Sequence, residues 1–395
     1  MTARPIGATA VSVRSLAPDL ARGMMLLLIA LANVTYYLYG DGTYGSGVWV
    51  RGHPVLDQTV LLLQATFVRD RVYPMFALLF GYGIVQLLRR HTSSGVDAVT
   101  VRKLVRRRGW WLVLFGFLHA LLLFPGDIIG AYGLLAVLLA GVIVQARDRT
   151  LLIMMALWTA VLWMVPMVLF PLLDGWWSPL ETTANVTADP LRAAGIRVLE
   201  WAQSGVVNAL FTLVPALMVG VWAARRRLLD EPQRYRPLLV RVAALGVGLA
   251  AVGGFPWALK RVSWWTPPSD TVAMLADLSH NLTGYGGGIG YAAIAGLIAI
   301  RVRARDRPGP VITALAACGQ RSMTCYLLQS VVFVAVLAAY GGGLGNRLGF
   351  TEVEIVGVVT WALTVLVADA MRRRGYRGPA EALLRHLTYA RRPCP

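Results

Sequence analysis

The sequence predicts an all-α, polytopic membrane bundle of about ten transmembrane helices with both termini in the cytoplasm. Three observations predict it. Of the 395 residues, 57% are hydrophobic and only 15% charged, with a mean hydropathy of +0.59. A soluble chain of this length needs far more charge to cover its surface. Apolar runs long enough to cross ~30 Å of hydrocarbon recur from end to end. Finally, 38 Lys and Arg against 20 Asp and Glu set a net charge of +18 and a pI near 10.6. These positives lie in short loops between the apolar runs, which is the positive-inside distribution of a membrane protein and not a basic surface for nucleic acid.

The first expected span, 22–39, opens at Arg22. Ala30-Leu31-Ala32 has the small-residue form of a signal-peptidase site, but the apolar stretch continues to Leu38, so an uncleaved span is expected. The connection that follows holds a further apolar stretch, Val55–Val68, which reads as interfacial, re-entrant or an extension of the second helix. The second span, 72–88, ends on the basic stretch Arg89–Arg108, and the third, 109–124, opens on the Trp110-Trp111 pair. A Pro125-Gly126-Asp127 turn leads into the fourth, 128–146, and Arg147–Arg149 into the fifth, 150–173. Loop 174–204 is acidic on balance and carries Trp176, Trp177 and Trp201, as a cover over an outward opening or as an aromatic belt. Spans at 205–224, 238–257, 284–302, 322–340 and 355–371 complete the set, with basic stretches Arg225–Arg241, Arg301–Arg307 and Arg372–Arg377 on the cytoplasmic side. The chain divides into a membrane half at 1–204 and a second at 205–395. Glycines 284, 286, 287, 288 and 290 follow no strand and read as close helix packing, not a phosphate cradle.

Ionisable and polar groups inside these spans carry the functional argument, because each is costly unless something pairs with it or uses it. A helix rises ~1.5 Å per residue. Asn33 lies eleven residues beyond Arg22, His119 eleven beyond Arg108 and Gln329 eight beyond Arg321. On helices that all run outward, the three fall at a common depth, which suggests a shared interior cavity. The plainer alternative for Asn33 and Gln329 is a hydrogen-bond bridge between helices. Imidazole is the side chain best suited to proton transfer near neutral pH, so His119 is the first candidate base, with Asp127 in the following turn placed to orient it. His53 in the first outer loop is a second candidate base, and His280 precedes the eighth span from the same side. His91 and His386 read as members of solvated basic segments. Arg22, Arg102, Arg106, Arg108 and Arg321 are candidate contacts for a phosphorylated cofactor or an anionic lipid, although topological anchoring explains them without any ligand. Cys318, Cys325 and Cys394 have neither metal-ligand spacing nor a paired framework, so no metal is expected. No Ser-x-x-Lys, Gly-x-Ser-x-Gly or His-Glu-x-x-His pattern occurs, which argues against the hydrolase and metalloenzyme classes.

Four stretches resemble the YeiB-like family of bacterial multi-pass membrane proteins. They are Asp19-Leu20-Ala21-Arg22-Gly23 with Asn33; Phe76–Gly83; Gly116-Phe117-Leu118-His119 with Gly126-Asp127-Ile128-Ile129 and Ala131-Tyr132-Gly133; and a carboxy-terminal set of Thr324, Tyr326, Gln329, Ser330, Gly378-Pro379, Glu381, Arg385 and Leu387-Thr388-Tyr389. Pro18, Gln320-Arg321, Cys325 and Ala382 depart from the usual pattern. The family looks like a branch of the transmembrane acyltransferases. The resemblance therefore implies a protein of the bacterial cytoplasmic membrane that takes an acyl group from cytoplasmic acyl-CoA to an extracytoplasmic hydroxyl or amine of a glycan, lipid or metabolite. It implies a histidine base (His119 or His53), Asn33 near the thioester carbonyl, and basic residues at the CoA phosphates, with Gln329, Tyr132 and Tyr326 toward substrate. Membrane lipid, donor and acceptor are the implied partners, and a homo-oligomer is compatible with the pattern. A transporter with a midplane polar site and a non-catalytic scaffold are the rival readings.

Overall fold

Every regular element in the computed structural model is helical; it describes residues 15–40, 54–164, 184–304 and 308–389. In chain order these are α1 (Leu16–Val34), α2 (Pro54–Phe67), α3 (Val72–Ser93), α4 (Ala98–Leu122), α5 (Ile129–Gln145), α6 (Asp148–Met164), α7 (Pro190–Glu200), α8 (Val206–Arg225), α9 (Arg236–Arg261), α10 (Asp270–Arg303), α11 (Pro310–Gln320), α12 (Ser322–Leu337), α13 (Phe350–Arg373) and α14 (Pro379–Tyr389). Local chemistry sets several of the starts. Asp97 accepts from the Thr100 N–H at 2.9 Å at the head of α4, Asp189 caps α7 and Ser269 caps α10. Proline stands in the first turn of α7, α9 and α11, where its missing N–H costs nothing.

All ten expected spans contain a helix. Among the described residues, five helical stretches are long and apolar enough to cross a membrane: Leu16–Tyr37, Val55–Ser93, Arg236–Arg261, Asp270–Arg303 and Phe350–Arg373. The pair α11 and α12, bent by 87° at Arg321, makes a sixth if it counts as one span. Of the four expected spans outside this set, 150–173 and 205–224 include or adjoin residues outside the described ones, and the other two fall short by composition or length. The arginines 102–108 are drawn into the body of α4, and α5 has only 17 residues. The ambiguous stretch after the first span forms α2, which is set off from α3 by a break at Val68–Arg71 and packs against α9 and α13.

Small residues set the closeness of the bundle. Where α1 crosses α11, Gly23 lies against the Leu315 carbonyl and Gly319 against that of Asp19, so neither position has room for a Cβ. α4 and α5 form an antiparallel hairpin, α9 and α10 another, and α8 lies against α3 and α6. The main core gathers Met25, Met75, Tyr82, Leu112, Tyr132, Leu135 and Leu217 from α1, α3, α4, α5 and α8. The helix ends rich in Arg and Lys from 89–108, 225–227 and 372–377 lie at one end of the bundle, the basic end, where Arg89 meets Asp230 and His91 meets Tyr389.

Candidate functional site

The site is built on the turn between α4 and α5. Gly116 on α4 faces Gly130 on α5, and a Cβ on Gly116 would strike both the Gly130 backbone and Asp127 Oδ2. This close approach places the Asp127 carboxylate beside the last turn of α4, where His119 sits. His119 Nδ1 lies 2.9 Å from Asp127 Oδ1, and Asp127 Oδ2 accepts the Gly130 N–H at 2.6 Å. On the other edge of the ring, His119 Nε2 lies 2.9 Å from the hydroxyl of Ser330, which α12 brings in from 211 positions away. His119, Asp127 and Ser330 are 3%, 1% and 3% exposed. A proton on Nδ1 would face the Asp127 carboxyl and leave the Nε2 lone pair to the serine O–H, as in a Ser-His-Asp relay, while the Ser330 hydroxyl also lies 3.5 Å from the Tyr326 carbonyl.

The surroundings are aromatic above and below. The Tyr326 ring, one turn before Ser330, stands 4.9 Å from the imidazole, and Phe124 stands 6.3 Å from it. α7 closes the side away from the basic end, where Arg197 donates to the Leu121 carbonyl at 3.0 Å and to the Tyr340 hydroxyl at 2.6 Å. Beside the relay, the buried Gln329 Oε1 has no hydrogen-bond partner among the described residues, and the Tyr326 hydroxyl is met by the Ile128 backbone N–H with its own proton left to donate. Buried polar atoms are almost always paired, so the Gln329 exception marks a place for a polar ligand group or water.

The other sequence candidates divide clearly. Gln329 is buried beside Ser330, with its amide donating to the Leu26 carbonyl of α1 at 3.3 Å. The Tyr132 hydroxyl reaches the Tyr73 carbonyl at 3.3 Å while its ring stacks on Phe76, 4.7 Å away, so it packs beside the site and does not enter the relay. Asn33 is half-buried and takes no part in the His119 hydrogen bonds. His53 lies outside the described residues. At the basic end, Arg22 pairs with Asp19 at 3.2 Å, and the second Asp19 oxygen accepts from Gln320 at 3.0 Å. Arg108 is half-buried within electrostatic reach of Arg22, Glu381 and Tyr389. Arg106 donates to the Val137 carbonyl at 3.1 Å, and Arg102 is half-buried on the same helix. Arg321 serves the fold: it donates to the carbonyls of Ala317 at 3.1 Å and Tyr376 at 2.5 Å, tying the α11–α12 bend to the segment before α14.

Two features escaped the sequence reading. Ser330 was visible only as part of a family motif, because nothing local marks a serine 211 positions from its histidine. The second is another His–Asp pair: His280 on α10 meets Asp70 at 2.9 Å, stacks on Trp257 at 4.0 Å and receives the fully buried Arg71. Arg71 also donates to Ala250 and Arg69 carbonyls, at 2.8 and 2.7 Å. Every member of that group holds the α2–α3 break against α9 and α10, and Asp70 itself has a left-handed backbone, φ 61°. Among the described residues no group of His, Cys, Asp and Glu could hold a metal ion.

Residues 223–391 match the family described as Protein of unknown function (DUF418), a stretch that contains Ser330 and α14 but not His119. The chain is 24% identical over 403 residues to "Uncharacterized protein YxaH" of Bacillus subtilis (strain 168), covering 94% of this chain and 93% of the relative. It is also 24% identical over 397 residues to "Uncharacterized protein YeiB" of Escherichia coli (strain K12), covering 95% and 96%.

Proposed function

We propose, for a chain that belongs to the YeiB-like family of multi-pass membrane proteins, that the His119 relay is the acid–base group of an acyl transfer. The acyl group moves from cytoplasmic acyl-CoA to an extracytoplasmic hydroxyl or amine, with the protein in the cytoplasmic membrane and its basic end inward. The observation that carries the reading is a buried imidazole bridging a carboxylate and a hydroxyl, both at 2.9 Å. Held in this way, Nε2 is set to take a proton from an O–H or N–H placed on the Ser330 side of the ring.

In the proposed step, His119 Nε2 removes the acceptor proton as the acceptor atom bonds to the thioester carbonyl carbon and the C–S bond breaks. His119 then returns that proton to the departing sulfur, so an ester or amide and a free thiol leave and the ring is neutral again. Asp127 stabilises the transient imidazolium and keeps the ring in the productive tautomer. The Tyr326 hydroxyl is the donor available to the developing oxyanion, and Gln329 Oε1 is an acceptor for a second hydroxyl on the substrate. Arg22, Arg102, Arg106 and Arg108, near the basic end, are the cations assigned in this reading to the CoA phosphates. One observation favours a second reading: the 87° break between α11 and α12 is the kind of discontinuous helix that transporters place at a substrate site.

The test uses the purified full chain in phosphatidylcholine nanodiscs with radiolabelled acyl-CoA of several chain lengths and an envelope extract as acceptor. Release of free thiol and transfer of label are expected, with both lost in His119→Ala. No transfer above background for any chain length, or an unchanged rate in His119→Ala, overturns the reading. Solute flux in proteoliposomes without acyl-CoA consumption favours transport.

A further inference from the structure

The basic end carries a cavity that the acyl-transfer reading does not use. It has a volume of about 390 Å³ and is lined by Arg377, Ala382, Arg385, His386 and Tyr389, on α14 and the segment leading into it. Its charge is one-sided. α14 has a single carboxylate, Glu381, and that group is committed elsewhere: Oε1 accepts the Met323 and Thr324 N–H groups at 2.8 and 3.2 Å, and Oε2 accepts the Thr324 hydroxyl at 2.5 Å. The anchored carboxylate fixes α14 across the start of α12, while Leu384 and Thr388 bury its inner face. Arg377 and Arg385 make no ion pair among the described residues.

A second observation comes from behind the cavity. The Tyr389 ring stacks against His91 with centroids 6.2 Å apart and planes within 7°. His91 is 7% exposed and its Nδ1 contacts the Leu87 carbonyl at 2.9 Å, while Nε2 is buried without a partner. Arg90 and Arg108 lie within electrostatic reach of Tyr389. Arg377 and Arg385 thus share this pocket with His386 and the Tyr389 phenol, while the Glu381 carboxylate is turned to the start of α12, and such a cationic lining suits an anion. A guanidinium fork matches a phosphate oxygen pair, and an open depression leaves room for a headgroup or nucleotide to reach it.

We propose that this cavity binds a phosphate ester, held by Arg377 and Arg385 with His386 and Tyr389 as further donors. The chemistry is shared by the headgroup of an anionic phospholipid and by the phosphorylated nucleotide portion of a cofactor. The site stands whether or not His119 transfers acyl groups.

The experiment takes the full chain in phosphatidylcholine nanodiscs with two probes, each in its own arm: phosphatidylglycerol built into the disc at increasing fraction, and adenosine 3′,5′-bisphosphate added to solution. Native mass spectrometry reads lipid retained on the protein, and calorimetry reads the nucleotide. The double variant Arg377→Gln/Arg385→Gln removes charge but keeps the Glu381 anchor, and Arg234→Gln, an exposed cation in a different loop, is the control for general electrostatics. Retention of either probe is expected, weakened about tenfold or more in the double variant and within about twofold in the control. Lipid retention alone assigns a headgroup site, nucleotide binding alone a cofactor site, and both a general phosphate site. Binding of neither probe, or binding that the double variant leaves unchanged, overturns the proposal. Elution of the double variant at the wild-type position in size exclusion separates lost binding from lost fold.

Discussion

His119 is the residue whose partners decide its chemistry. Its ring is held at both nitrogens, so the two contacts can be removed separately with different consequences. Asp127→Asn keeps an oxygen for the Gly130 N–H but turns an amide donor toward Nδ1. The ring then places its proton on Nε2 and can no longer accept one there. Turnover in the nanodisc assay is expected to fall ~10²–10⁴-fold with the fold retained. Ser330→Ala leaves Nε2 without its neighbour but keeps tautomer and orientation, so direct transfer predicts that at least about a tenth of the rate survives. Loss as complete as in His119→Ala would instead make Ser330 the acyl carrier. The eight-residue spacing of His119 and Asp127 across a Pro-Gly-Asp turn made their pairing readable in advance. Asn33 shows the limit of depth arithmetic. Rise along a helix gives height, but which face a side chain occupies depends on how the helix is rotated in the bundle, and Asn33 makes none of the His119 hydrogen bonds.

At the next level, helix pairs hold the site through contacts too close for ordinary side chains. Gly116→Ala pushes a methyl into Gly130 and Asp127, and is expected to cost about 1–3 kcal/mol and to weaken the His119–Asp127 contact. Gly248, on the exposed face of α9 with nothing near it, is the comparison: Gly248→Ala should change stability by less than about 0.5 kcal/mol, read by thermal unfolding in detergent. The α7 cover offers a pH signature. The Glu200 carboxyl at the end of α7 is pushed up by burial, against the Tyr36 hydroxyl and Ala184 N–H that donate to it. A raised value means that the folded chain holds this proton more tightly than the unfolded one. Stability from this group therefore grows as pH falls through the folded value and is lost above it. Glu200→Gln should flatten the thermal midpoint against pH in the range just above the ordinary glutamate value, and an unchanged curve would remove the assignment.

Taken together, the bundle separates a strongly basic end from one where aromatic and acidic groups cover the relay. The proposed orientation predicts a labelling pattern. With Cys394 replaced by serine, the two described cysteines are both buried. In intact spheroplasts, Leu191→Cys on the exposed face of α7 should then react with an impermeant maleimide, and Arg374→Cys only after lysis. The reverse pattern inverts the topology.

Helical class, the apolar segments and the basic connections were all readable from residue order, because hydropathy and charge act locally and a bilayer imposes a fixed thickness. The α4–α5 hairpin and its His–Asp pair were within reach for the same reason, since eight residues and one turn join them. Ser330 beside Nε2, Arg321 turned to backbone carbonyls, Glu381 spent on the start of α12 and the cationic cavity left beside it were not. Each depends on which face of one helix meets which face of another far away in the chain, and that choice is made by packing of the whole bundle and not by any local pattern.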